Sequence, residues 1–355
     1  MAGVFYFYIM NVDYIIVGLG LAGIAIAEEL SKNNKSFVVF ENNSQNSSLV
    51  AGGMYNPVVL KRFTPVWNAE EQLKTALPFY KNLEKKFNKT YHHKIDIYRI
   101  FKSIEEQNNW FSACDNILLE KFMISDVIQN NNQYIIAPFG YGKLTNTGRI
   151  DTNLLVKDYV NLLQNQKQIR FEEFEHKFIE FSDLTVQYKD IESKHIVFCE
   201  GFGLKENPFF NYLPMREAKG ELITIRAPKL KVSYLIKAAV FVLPLGNDLY
   251  RVGATFNWTD KTKKPTEAGK AELLKKLNTF IVTEFEVIEQ IAGIRPTVKD
   301  RRPLVGVHKK FKQLNILNGL GTRGVMVAPT MAKKLYNHIE FDIPLEKEIS
   351  IERFD

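Results

Sequence analysis

The sequence predicts an α/β protein in which a discontinuous nucleotide-binding domain is interrupted by a smaller α+β domain on a mixed or antiparallel sheet. Three junctions between an apolar run and a glycine carry that prediction: residues 14–17 into Gly18, residues 195–199 into Gly201, and residues 314–317 into Gly319. They lie far apart along a chain of 355 residues, so one sheet must be re-entered late in the sequence.

The first junction is the most specific. Tyr14-Ile15-Ile16-Val17 is a short apolar run, Gly18-Leu19-Gly20-Leu21-Ala22-Gly23 follows it, and residues 24–30 have helical character. Phe37-Val38-Val39-Phe40 then ends at Glu41. Strand, glycine turn, helix, strand and acid form the context in which GxGxxG is a Rossmann-type dinucleotide fingerprint. Gly18 permits the tight turn, Gly20 lets a pyrophosphate approach the backbone, and Gly23 lets the helix pack close to the strand. Leu21 and Ala22 lie at the helix N-terminus, where unpaired N–H groups and a partial positive charge favour phosphate. Glu41 is placed to accept from ribose hydroxyls, with Asn42 beside it.

Composition bounds the rest. With 45% hydrophobic residues the chain can bury a substantial core and form two domains. Two cysteines, Cys114 and Cys199, without a CxxC pair exclude a disulfide framework or a structural zinc site and fit a reducing cytoplasm. A net charge of +7 permits an anionic partner without demanding one. No stretch reads as a transmembrane helix, because residues 12–30 carry Asp13, Glu28 and Glu29 around the glycine fingerprint. Residues 1–9 are apolar and aromatic but lack the basic start and cleavage site of a signal peptide, and Met10 precedes the first strand.

Further elements follow from spacing. Residues 68–87, 103–114 and 151–164 have helical apolar periodicity, the last capped by Asp151 or Thr152. Residues 42–48 are a polar loop. Strand-like runs cover 184–188, 195–199, 221–226, 239–244, 249–255 and 314–317, and a final helix spans about 323–337. The nucleotide domain then comprises 10–60, 149–204 and 301–340, the other domain 61–148 and 205–300, and the termini 1–9 and 341–355 are extensions. A nicotinamide-only domain is usually continuous, so the interruption favours FAD over NAD.

Motifs beyond the fingerprint recur in order: Ala51-Gly52-Gly53, Gly148-Arg149-Ile150-Asp151, Val252-Gly253-Ala254-Thr255, Gly293-Ile294-Arg295-Pro296 with Asp300 and Pro303, and Gly319-Leu320-Gly321-Thr322-Arg323-Gly324. Together they resemble the D-amino-acid-oxidase-type FAD oxidoreductases, the group that includes glycine oxidase and sarcosine oxidase. Gly321-Thr322-Arg323-Gly324 and Ala328-Pro329 resemble in particular the FAD-dependent domain of the bifunctional tRNA 5-methylaminomethyl-2-thiouridine biosynthesis proteins. The resemblance implies non-covalent FAD, with Gly18, Gly20, Gly23 and Glu41 on its ADP part. Ser48, Ala51, Gly52 and Gly53 then pass beside the flavin. Gly201, Gly319, Gly321, Thr322, Arg323, Gly324 and Val325 meet it from the other two junctions. A helix N-terminus aimed at the flavin pyrimidine ring stabilises the negative charge that reduction places there.

In that family the arginine of the Gly-x-Arg-Pro motif binds the substrate carboxylate, which assigns this role to Arg295. A guanidinium stays charged and its planar fork matches a carboxylate with two hydrogen bonds. The alternative is that Arg295 pairs with Asp300 or caps a strand end. Tyr250, Phe241 and Tyr55 are further candidates for the substrate wall, with core packing the competing reading for the first two. Leu243-Pro244-Leu245 stands where relatives place an arginine. Lys61-Arg62 reads either as a contact for an anionic substrate or as a solvated turn, and His92-His93 as a surface pair without a third metal ligand.

The implied partners are a small amine bearing a carboxylate and an electron acceptor, oxygen or another. The implied activity is oxidation of a C–N bond in an amino acid or N-substituted glycine. An alternative is removal of the carboxymethyl group from a tRNA wobble uridine, itself an N-substituted glycine. Lysine clusters at 81–89, 261–264 and 309–312 would then meet phosphates. A flavin-binding protein without turnover is the third reading.

Overall fold

The computed structural model describes residues 9–354, so the expected leader over 1–9 lies, but for Ile9, outside the described residues. The chain divides into two compact units. The first holds residues up to Leu49, Asn153–Glu217 and residues from Arg295 onward; the second holds Val50–Thr152 and Ala218–Ile294. The second was expected to be the smaller, but the two are nearly equal in length; against the expected bounds, residues 50–60 and 149–152 pass to the second and residues 205–217 and 295–300 to the first.

The first unit is a parallel-centred sheet. Strand Met10–Val17 pairs in parallel with Phe37–Phe40 on one side and Ile191–Phe198 on the other. Leu314–Asn318 adds in parallel to the end of Ile191–Phe198. Strands covered on both faces read as unbroken apolar runs, which is why residues 14–17 and 37–40 were legible. Each of those residues is buried. The first strand starts earlier than expected, at Met10, whose N–H donates to Asp190 O. Its outer half alternates with polar Asn11 and Asp13, so the apolar run hides its true length.

Helix Leu21–Lys32 is buried along most of its length and packs on the last helix, Gly324–Phe341. On the opposite side of the sheet Ile15, Phe40, Tyr188, Phe198, Phe210, Ile316 and Ile351 share one core cluster. Ile351 corrects one expectation. Residues 342–354, expected to be part of a terminal extension, belong to the first unit: Val305 N donates to Ile349 O, and Ile351–Phe354 forms a 3₁₀ turn on the core. The segment has no periodicity to betray this, only two isoleucines placed under the strand Leu304–Val307.

The second unit is built on a mixed eight-stranded sheet. Its order runs Glu286–Val298, Met215–Arg226, Leu249–Gly253, Phe241–Gly246, Leu235–Lys237, Ile97–Ile100, Tyr141–Leu144 and Met123–Ile128. Pairing is antiparallel between the hairpin strands and parallel between Leu235–Lys237 and Ile97–Ile100. Pro296 lies in the edge strand, where a missing N–H costs no ladder bond. Helix Ala69–Phe87 matches its predicted span, and Ile104–Cys114 is capped by Ser103 Oγ, which accepts from Glu106 N. Helix Glu267–Leu277 had no sequence assignment; Thr266 caps it in the same way, accepting from Gly269 N.

The loop after Gly253 is fixed by a fully buried ammonium. Lys219 Nζ donates to Asp260, to Thr262 Oγ1 and to the carbonyl of Lys264, with Glu221 at 3.7 Å. Glu221 in turn accepts from Thr266 N and from Gln290 Nε2. Lys219→Ala leaves Glu221 buried without its neighbouring cation and unties Asp260, Thr262 and Lys264 from the sheet, a loss of about 3 kcal/mol. The expected outcome is a thermal midpoint lower by roughly 6–10 °C; a midpoint unchanged within about 2 °C contradicts the assignment.

Candidate functional site

The first unit gathers three strand ends. Gly18 adopts φ +93°, its N–H donates to Phe40 O at 2.8 Å, and a Cβ there would lie 2.7 Å from Cys199 O. A Cβ on Gly23 would meet Gly18 O at 2.1 Å, so the helix can start on the strand end only without a side chain. Gly20 is the N-cap residue and supplies no side-chain cap. Ser48 Oγ accepts from Leu21 N at 3.1 Å instead, which leaves its O–H to donate to a phosphate oxygen. Glu41 is held at the end of its strand by Leu19 N at 2.6 Å and Asn43 N at 2.7 Å, one to each carboxylate oxygen. Asn42 turns the other way, its side chain accepting from Ser44 N.

The other two junctions are tied together by a residue that sequence reasoning passed over. Asn318 Nδ2 donates to Gly201 O at 3.0 Å, and its Oδ1 accepts from Gly319 N at 2.7 Å. A polar residue closing an apolar strand was the available signal. Gly201 and Gly321 have φ +57° and +58°, and a Cβ on either would point into open space. Both keep bare backbone facing outward, the arrangement a bound planar group needs. No side chain caps the last helix at Arg323, and Gly324 lies close to Leu21. Thr322 is exposed and Val325 is buried in the first turn. Cradles at three strand ends and an uncapped helix N-terminus fit FAD: pyrophosphate at residues 18–23, ribose at Glu41, and flavin at 319–324.

In the second unit, sheet parity sorts the candidates. Cross-strand pairs Phe241↔Gly253 and Leu243↔Arg251 share one face, while Val242, Tyr250 and Val252 belong to the core cluster on the other. Phe241 keeps its candidacy: a Cβ on Gly52 would sit 3.6 Å from its ring. Tyr250 is a core tyrosine whose hydroxyl accepts from Val232 N at 3.4 Å. Tyr55 also faces inward; its hydroxyl lies 2.7 Å from His92 Nε2, and burial pushes its pKa up to about 12. The two histidines are therefore half-buried strand residues, not a surface pair. Gly53, at φ +65°, lies against Ile150 O, and its carbonyl accepts from Ile150 N. Ala51 is exposed. Lys237 sits opposite Phe241 with Nζ 5.9 Å from the ring. Burial, then Arg99 and Lys276, pull its pKa down to about 8.

These features define a dinucleotide-binding oxidoreductase of the flavin class. The family model for FAD dependent oxidoreductases (DAO) matches residues 13–337, and the chain belongs to that family. It is 21% identical to glycine oxidase of Bacillus subtilis (strain 168) over 95% of this chain and 94% of that protein. It is 22% identical to the bifunctional protein MnmC of Campylobacter jejuni subsp. doylei, named for tRNA 5-methylaminomethyl-2-thiouridine biosynthesis. That match covers 83% of this chain but 46% of the relative, so the chain spans about half of its length. The structure of glycine oxidase from Bacillus cereus ATCC 14579 shares the fold with a TM-score of 0.77 at 18% identity, covering 94% of this chain and 96% of that one. The cofactor is FAD. Among the described residues no helix is long and apolar enough to cross a membrane.

Gly20→Val places a branched side chain over the helix N-terminus. Among the described residues Ser48 is the only one besides the chain neighbours within 4 Å of its Cβ, and Ser48 Oγ, at 3.0 Å, has to give way. The expected product is folded protein by circular dichroism that retains less than about a tenth of the wild-type flavin. Full flavin content after gel filtration contradicts the placement.

Proposed function

We propose that this chain oxidises the C–N bond of an amine bearing a carboxylate, an amino acid or an N-substituted glycine. Arg295 is the observation that carries the reading. It is half-buried near the end of the strand Glu286–Val298, and burial lowers its guanidinium pKa to about 10. A cation desolvated in this way gains most from a bound anion. The competing partner, Asp300, is held instead by Arg353 Nε at 2.8 Å and by Arg302 N. The adjacent carbonyl, Pro296 O, accepts from Gly321 N at 3.0 Å, which fixes the arginine strand to the glycine turn before the last helix.

FAD, when bound, supplies the two-electron acceptor for the hydride leaving the carbon next to nitrogen. The protein's contribution is orientation and electrostatics. Arg295 holds the carboxylate so that a single C–H bond is presented, and the first turn of Gly324–Phe341 offers N–H groups and the positive end of a helix dipole. A substrate amine in its neutral form needs no paired acid and base for this step, consistent with neither cysteine being an activated nucleophile. Cys199 is buried and its thiol is held protonated by that burial.

Arg295→Ala keeps FAD and fold but raises the KM for a carboxylate-bearing amine by about a hundredfold. Steady-state kinetics on the flavin-loaded variant checks this; an unchanged KM contradicts the role of Arg295.

A further inference from the structure

One turn of the first unit gathers cations beside the last helix. The turn between Val298 and Leu304 carries Asp300, Arg301 and Arg302. Strand pairing sets it beside the glycine turn, since Leu304 is opposite Asn318 and a Cβ on Gly319 would lie 2.6 Å from Val298 and 3.0 Å from Leu304. Arg323 follows at the start of the last helix. Burial lowers its basicity first, and then Arg301 and Arg302 lower it further by like-charge repulsion.

The one acid of the turn does not serve this cluster. Arg353 takes the Asp300 carboxylate and also donates to Ser350 O at 2.7 Å and Pro303 O at 2.9 Å, which anchors the turn from behind. Among the described residues the side chains of Arg301 and Arg323 have no hydrogen bond or ion pair. Arg301 is exposed, with its backbone in the left-handed region at φ +60° and its N–H bonded to Val298 O. Arg301 and Arg323 repel each other with no carboxylate of their own, and an oxyanion bound by both removes that cost while using their forked donors. The bond from Gly321 N to Pro296 O links this cluster to the strand that bears Arg295.

The geometry points to an oxyanion site formed by Arg301 and Arg323 that takes a second acidic group of the substrate. The amine is then an N-substituted glycine or amino acid with two anionic groups, a statement that rests on the oxidase reading above. One acid is met by Arg295 and the other by this cluster. Both carboxylate and phosphate match the guanidinium fork, so the source of the oxyanion is for experiment to separate.

The test uses FAD-loaded protein. Calorimetric titration compares glutarate, butyrate and inorganic phosphate; kinetics compare iminodiacetate with sarcosine. Glutarate is expected to bind at least about tenfold more tightly than butyrate, and Arg301→Gln to abolish the difference. The kcat/KM for iminodiacetate is expected to exceed that for sarcosine by about tenfold, and Arg301→Gln to remove the advantage without changing sarcosine. Glutarate binding no tighter than butyrate, or a difference that survives Arg301→Gln, overturns the site. Phosphate that binds through Arg301 without competing with iminodiacetate overturns the assignment to substrate. If neither amine is oxidised while Arg301-dependent glutarate binding persists, the oxidase reading fails and the oxyanion site stands.

Discussion

The rest of the first unit depends on one close approach, that of Gly23 to the carbonyl of Gly18. With a Cβ at 2.1 Å from that oxygen forbidden, the position admits only glycine, and the helix can begin directly on the strand end. This proximity points unpaired N–H groups at the place where a pyrophosphate binds. It also sets helix Leu21–Lys32 against Gly324–Phe341, because Gly324 packs on Leu21. The N-termini of both helices are thus located by glycines, and both lack a side-chain cap from their N-cap residue.

A second constraint is the distribution of arginine partners. Arg353 lies in a C-terminal turn that a reading of periodicity discards, yet it removes Asp300 from the reach of its neighbours. That leaves Arg301 and Arg323 without a carboxylate among the described residues, while Arg295 is partly desolvated. A partly buried cation such as Arg323 is costly unless a ligand neutralises it. The C-terminal turn therefore does more than complete the core: its arginine decides which guanidinium groups are left for anions.

The nucleotide half of the fold was legible because parallel strands buried on both faces leave apolar runs, and because glycine spacing records backbone geometry directly. The antiparallel half was less so. Strands Ile97–Ile100 and Glu286–Val298 mix polar and apolar positions and carry no turn signal of the expected kind. Phe241 and Tyr250 look equivalent in sequence; only hairpin register puts one beside Gly52 and the other in the core. Asn318 and the arginine cluster were hidden for a different reason. Their meaning lies in partners more than a hundred residues away, as Asn318 has in Gly201, or across a strand pair, as Arg323 has with Arg301.

The central claim is that a bound flavin in this chain is reduced by an amine held through its carboxylate. Anaerobic titration of the flavin-loaded protein, followed in the visible absorbance, tests it most directly. The account predicts that a carboxylate-bearing N-substituted glycine bleaches the flavin band, whereas the matching amine without a carboxylate leaves it unchanged at the same concentration. A flavin that neither compound bleaches, or that both bleach equally, contradicts it.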